Sequence, residues 1–223
     1  LAAMGVGGTI IAFYDSLGPE AVEFVIKQTQ LTTISCDQKY LRSIIMLKSQ
    51  GRAASIKNLV SFDEDESIKD IKADAEQVGI NLYTYREVMA LGSMHNKTYE
   101  ELAPKADTVY MFCYTSGTTG DPKAAMLSHR NLLGAATASK FGGIVATPED
   151  CMISYLPMAH SFEKVLFSMC LIMGTKIGFF GGDVFKLTDD CMDLKPTLFP
   201  SVPRLYNRIY DKIQSRLKEL TGV

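Results

Sequence analysis

Apolar and polar residues follow one another along this chain in blocks whose period changes, and the changes of period mark out its elements. Thr9–Tyr14 is a short continuous apolar run, the pattern of a buried strand. Asp15-Ser16-Leu17-Gly18-Pro19 is turn chemistry, and Pro19 suits a first helical position. From Glu20 to Gln30, Val22, Val25 and Ile26 fall on one helical face, and Leu31–Cys36 is again short and β-branched. Together these segments predict a strand–helix–strand unit, the building block of a parallel sheet. Further along, the pattern predicts a helix over Tyr40–Ser49, strands over Asn58–Phe62 and Val78–Tyr85, and a short helix over Tyr85–Leu91. Asp63–Lys72 concentrates acidic residues and reads as a solvated loop rather than a docking patch.

The second half repeats the alternation. Thr108–Cys113 is β-rich, Ser128 is a good N-cap, and Arg130–Lys140 supplies a small-residue helix. Cys151–Leu156, Lys176–Phe180 and Thr197–Phe199 predict strands. Beyond Pro203, the residues Leu205, Ile209, Ile213, Leu217 and Leu220 form a stripe at helical spacing, expected to pack on the core. Strands alternating with helices predict an α/β fold with largely parallel sheets flanked by helices.

Composition narrows the function classes. At 223 residues and 47% apolar, the chain can bury a sizeable core. A net charge of −2 offers no basic footprint, so nucleic acid is not an expected partner. The five cysteines are scattered without a Cys-x-x-Cys pair, which fits small apolar packers in an intracellular, reducing compartment. His95, His129 and His160 lie far apart, so no metal site is expected. The apolar runs Leu1–Phe13 and Val165–Phe180 are too short for a membrane span.

One stretch needs another explanation than packing. Tyr114-Thr115-Ser116-Gly117-Thr118-Thr119-Gly120-Asp121-Pro122-Lys123 sets hydroxyls, two glycines and a lysine directly after a strand. Polyphosphate oxygens call for that mixture: many short hydrogen bonds from hydroxyls and backbone N–H groups, plus a cation. Gly117 and Gly120 let the backbone approach a ligand closely. The common P-loop is excluded, because Lys123 follows Asp-Pro rather than Gly.

Thr115–Lys123 resembles the phosphate-loop signature of the AMP-forming acyl-CoA synthetases, a family of the adenylate-forming superfamily. One position departs from it: Ala124 stands where the family usually has Gly. The change is costly if that backbone needs positive φ and mild if it does not. Ser154-Tyr155-Leu156-Pro157-Met158-Ala159-His160-Ser161-Phe162-Glu163 is similar to the Leu-Pro-x-Ala-His segment of long-chain acyl-CoA synthetases, and Glu163 is placed to orient His160 if both share a helical turn. Tyr14–Pro19, Gly182-Asp183 and Leu194–Ile213 resemble eukaryotic long-chain fatty-acid–CoA ligases, so the likeness spans nearly the whole chain.

The resemblance implies the fold of an adenylation domain, with residues 1–223 forming part of the large N-terminal AMP-binding domain. It implies a two-step reaction. A fatty carboxylate attacks the α-phosphate of ATP, giving acyl-adenylate and pyrophosphate, and the thiol of coenzyme A then releases AMP. It assigns phosphate binding to Thr115, Ser116, Gly117, Thr118, Thr119, Gly120 and Lys123, and substrate positioning to His160. ATP, Mg²⁺ and coenzyme A are the implied cofactor and co-substrates. The family's Mg²⁺-binding Thr-Glu motif, ribose aspartate and C-terminal domain have no match in these residues, so the piece taken alone is expected to bind nucleotide weakly and not to turn over. A long-chain substrate implies a membrane-facing parent, on the cytosolic face of the endoplasmic reticulum, peroxisome or mitochondrion. Two other readings stay open at this point: a ligase for another carboxylate, and a ligase-like binding or scaffold protein without catalysis.

Overall fold

The computed structural model describes residues 2–14, 17–63, 65–95, 100–115, 122–143 and 146–221. The chain divides into two compact units, Leu1–Ala103 with Tyr114–Ala125, and Pro104–Cys113 with Met126–Val223. Its elements run α1 (Ala2–Gly5), β1 (Ile10–Ile11), α2 (Pro19–Thr29), β2 (Thr33–Cys36), α3 (Gln38–Ser49), β3 (Asn58–Ser61), α4 (Asp65–Gln77), β4 (Asn81–Thr84), α5 (Tyr85–Ser93), β5 (Val109–Thr115), β6 (Lys123–Ser128), α6 (His129–Phe141), β7 (Cys151–Ser154), α7 (Ser161–Met173), β8 (Lys176–Phe179), α8 (Leu187–Leu194) and α9 (Pro203–Thr221). The α/β class with parallel sheets is as the sequence predicts.

In the first unit, β2, β3 and β4 form a parallel sheet in that order, with Thr33 opposite Asn58 and Asn58 opposite Asn81. Parallel neighbours need long crossovers, and α3 and α4 supply them. Leu41 of α3, Leu59 of β3, Ile68 of α4 and Ile80 are fully buried in one apolar cluster. Pro19 opens α2 as expected, with Gly18 at its N-cap.

Two expectations for this unit are corrected. The strand–helix–strand unit over Thr9–Cys36 does not form, because β1 lies in a separate sheet of order β1-β5-β6. Local pattern specifies that a strand is buried, whereas its partner is a non-local choice. The crossover units begin one strand later, at β2-α3-β3. The acidic stretch is not a solvated loop either, since α4 starts within it at Asp65. Ile68, Ile71 and Ala75 face the core at 0%, 3% and 0% exposure, which is helical spacing. Arg42 of α3 meets Asp74 of α4 at 2.8 Å on the outer side.

In the second unit β7 and β8 are parallel, with Cys151 opposite Lys176. The apolar run over Val165–Phe180 is one helix and one strand, parted at Gly174, whose φ of 72° closes α7. Ser128 caps α6: its Oγ accepts from Asn131 N at 3.2 Å, while Asn131 Oδ1 accepts from Ser128 N at 3.0 Å. The expected strand over Thr197–Phe199 reduces to a single bridge between Leu198 and Met152. Pro196 and Pro200 bracket it, and proline supplies no ladder donor. The stripe on α9 does not pack on the core along its length. Leu205 and Ile209 are half-buried, but Ile213 is 52% and Leu220 83% exposed. Helical period reveals an apolar face and says nothing about what meets it. Among the described residues no helix is long and apolar enough to cross a membrane.

Candidate functional site

The glycine- and hydroxyl-rich segment joins two neighbouring strands of one sheet, β5 and β6. A connection as short as 116–122 cannot carry a parallel crossover, so the two strands form an antiparallel pair. β5 is strongly anchored near its end. Met111 is fully buried, Tyr114 is 6% exposed, and the Tyr114 hydroxyl donates to Gln28 Oε1 of α2 at 2.5 Å. Burial pushes the Tyr114 phenol above its ordinary range, so it stays a donor.

Thr115, the last residue of β5, and Lys123, the first of β6, are brought together: Thr115 Oγ1 donates to the Lys123 carbonyl at 3.4 Å, a long bond. Both side chains are exposed. Ser116, Gly117, Thr118, Thr119 and Gly120 lie outside the described residues. Ala124 sits in β6 and is not among the residues with positive φ, which answers the question its departure raises. An L-residue occupies that backbone without strain.

In the second unit β7 ends at Ser154, and the chain turns through Pro157 to His160, the N-cap of α7. His160 N donates to Pro157 O at 2.9 Å, and His160 Nδ1 accepts from Phe162 N at 3.1 Å. The imidazole thus does the work that a Ser or Asp usually does at an N-cap. Its ring is otherwise exposed.

Glu163 does not orient His160 by direct contact. Its carboxyl is buried, at 1% exposure, and accepts from Ser154 Oγ at 2.5 Å. Burial pushes that carboxyl above the usual carboxylate range, and the Ser154 bond offsets only part of the effect. Tyr155 donates to Ser201 Oγ at 2.7 Å and stacks on Phe199 with ring centroids 5.7 Å apart. Lys164, the next residue on α7, is half-buried, and loss of solvent lowers its pKa, with Cys113 of β5 near enough to act in the opposite direction. Asp183 caps a short 3₁₀ turn by accepting from Phe185 N at 2.9 Å. Sequence reasoning did not pair Ser154 with Glu163 and did not single out Lys164. Glu163 did carry a signal: with Leu166 and Cys170 it falls at i, i+3 and i+7, on the face of α7 that is buried at Cys170.

Thr115 and Lys123 belong to the first unit and His160 to the second. Among the described residues no group of three or more His, Cys, Asp or Glu side chains can hold a metal ion. The cysteines are free, and burial drives the Cys36 thiol up to about 12 and the Cys170 thiol up to about 11, which makes both poor nucleophiles.

Residues 1–222 match the family described as AMP-binding enzyme. Long-chain-fatty-acid–CoA ligase 5 of Rattus norvegicus is 37% identical over 212 residues, covering 93% of this chain and 30% of that protein. The peroxisomal long chain acyl-CoA synthetase 7 of Arabidopsis thaliana is 38% identical over 213 residues, covering 93% of this chain and 29% of that protein. The chain therefore spans about three tenths of the length of the curated relatives it matches. Among solved structures, the A domain of carboxylic acid reductase from Segniliparus rugosus, in complex with AMP and a co-purified carboxylic acid, superimposes with a TM-score of 0.78 at 18% identity, over 99% of this chain and 37% of that one. At that identity the likeness is one of fold.

Proposed function

The chain belongs to the AMP-binding enzyme family, and from that premise we propose that it is part of a long-chain fatty-acid–CoA ligase that activates fatty acids through an acyl-adenylate. The observation that carries this reading is the identity of 37–38% to long-chain ligases across 93% of the chain.

The chemical difficulty of adenylation is charge, because a carboxylate must approach a triphosphate. In this reading the hydroxyls and amides of Thr115–Gly120 hold the β- and γ-phosphates. Lys123, at the start of β6, meets the negative charge that builds on departing pyrophosphate. His160 presents its outer nitrogen to the fatty carboxylate. A carboxylate oxygen bonds to the α-phosphorus as the bond to the bridging oxygen breaks, and pyrophosphate carries away the electron pair. Coenzyme A then adds through sulfur to the acyl carbon, and AMP leaves. Mg²⁺ bound to the ATP phosphates would offset their negative charge. The strain-free backbone at Ala124 removes one ground for a non-catalytic reading. Long-chain acids partition into bilayers, which favours a membrane-associated parent enzyme.

Lys123→Ala is the test. In the longer ligase carrying this chain, it lowers ATP–pyrophosphate exchange by about 10²-fold, roughly 3 kcal/mol, the usual loss for one preorganised donor. Unchanged exchange in a folded variant removes Lys123 from the mechanism.

A further inference from the structure

Glu163 is ionisable by type and almost wholly enclosed, and its partner Ser154 is 5% exposed at the last position of β7. A buried carboxyl bonded to one hydroxyl is an expensive way to hold two elements together, since an apolar pair of similar volume would pack without desolvating either group. Its location gives it a use. The segment from Ser154 to Glu163 leaves β7, turns at Pro157 and enters α7, and this bond ties its two ends together. The flank is fixed independently by Tyr155, through Ser201 and Phe199. Between the tied ends sits His160. Its Nδ1 accepts the Phe162 amide, and an imidazole nitrogen that accepts carries no proton. The neutral ring is therefore held with its proton on Nε2.

We propose that Ser154 and Glu163 form a positioning pair that pins the first turn of α7 to the end of β7 and so locks His160 as an outward Nε2–H donor for a carboxylate oxygen. The identity of that acceptor rests on the ligase reading, while the lock itself does not. Glu163 acts through His160 and touches no substrate.

Nuclear magnetic resonance of the ¹⁵N-labelled chain separates the two claims. The lock is read as the coupling across the hydrogen bond between the Phe162 amide and His160 Nδ1, and as slow exchange of that amide. His160→Asn assigns the ring signals. Glu163→Gln keeps an acceptor for Ser154 and retains both signatures. Glu163→Ala loses the coupling, and its Phe162 amide exchanges several-fold faster while the remaining amides of α7 stay protected. Ser154→Ala, which removes one hydroxyl, gives the same loss in a milder variant. If Glu163→Ala and Ser154→Ala fold and keep the wild-type coupling and exchange, the positioning role is wrong. Palmitate added to the wild type shifts the His160 Nε2 signal. Absence of that shift with the coupling intact overturns the carboxylate contact and leaves the lock standing.

Discussion

Replacing Ala124 by glycine restores the residue that the phosphate-loop signature usually carries, and the backbone here predicts that the restoration does harm rather than good. Ala124 lies in β6, outside the left-handed region, with its side chain exposed. Glycine at such a place gains nothing in the folded state, because no positive φ is being forced. It widens the unfolded ensemble, which costs about 0.5–1 kcal/mol in a strand. An exposed methyl leaves no cavity when it is removed, so no packing loss adds to that figure. Among the described residues β6 is at the edge of its sheet, which also limits the damage. The folded-to-unfolded ratio of Ala124→Gly should thus fall roughly two- to fivefold. Urea unfolding of the chain measures it as a lower midpoint at unchanged slope. Titration with a fluorescent ATP analogue should give the same affinity for both forms. If Ala124→Gly were more stable, or bound the analogue tenfold tighter, the residue after Lys123 would need a left-handed conformation when nucleotide is held, and the argument from β6 would fail.

Two further substitutions test other parts of the molecule. Ile68→Ala removes a side chain with no exposure from the core face of α4 and should destabilise by about 2–5 kcal/mol, read by the same unfolding experiment; a cost within about 0.5 kcal/mol, typical of surface sites, would return the acidic stretch to the solvated loop that its charges suggest. Glu163→Gln tests the sign of the buried carboxyl. Because burial raises its folded-state pKa, the wild type holds this group's contribution fully below the unfolded value near 4.3 and loses it as pH rises through the higher folded value. The stability of wild type relative to Glu163→Gln should therefore decline from acid towards neutral pH, and a difference that stays flat across that range would mean that the carboxyl ionises freely.

Much of this fold is legible from residue pattern, and the exceptions share a cause. Pro19 at the start of α2, the apolar face of Val25 and Ile26, and Ser128 at the head of α6 are local decisions, settled within a few residues by φ restriction, period and capping. The partner of β1, the exposure of Ile213 on α9 and the single bridge at Leu198 depend on what distant chain is present to pair or pack, which no window of sequence contains. α4 is a different failure. The spacing of Ile68, Ile71 and Ala75 is helical, but the cluster of acids ahead of it is equally the composition of a solvated loop. Helix N-termini favour acidic residues through the dipole, so that cluster signals a start as readily as a loop.

The candidate site shows how far a local rule reaches. A residue at the N-cap followed three positions later by Glu is the capping-box pattern, and the chain contains it at Thr84–Glu87 and, with an unusual cap, at His160–Glu163. At α5 the box closes: Glu87 Oε2 accepts from Thr84 N at 2.7 Å and Thr84 Oγ1 accepts from Glu87 N at 3.1 Å. At α7 it does not. The Pro157 carbonyl takes the His160 N–H in a tight turn, so the donor that Glu163 would satisfy is already used. The carboxyl is then free to turn inward to Ser154, while His160 caps through Nδ1 and keeps its other nitrogen for solvent or ligand. One turn ahead of the helix thus converts a stabilising motif into a means of presenting an imidazole. The test lies in Pro157: a substitution that opens the turn should free the His160 N–H, draw Glu163 back into the box, and cost the presentation of His160 more than the stability of α7.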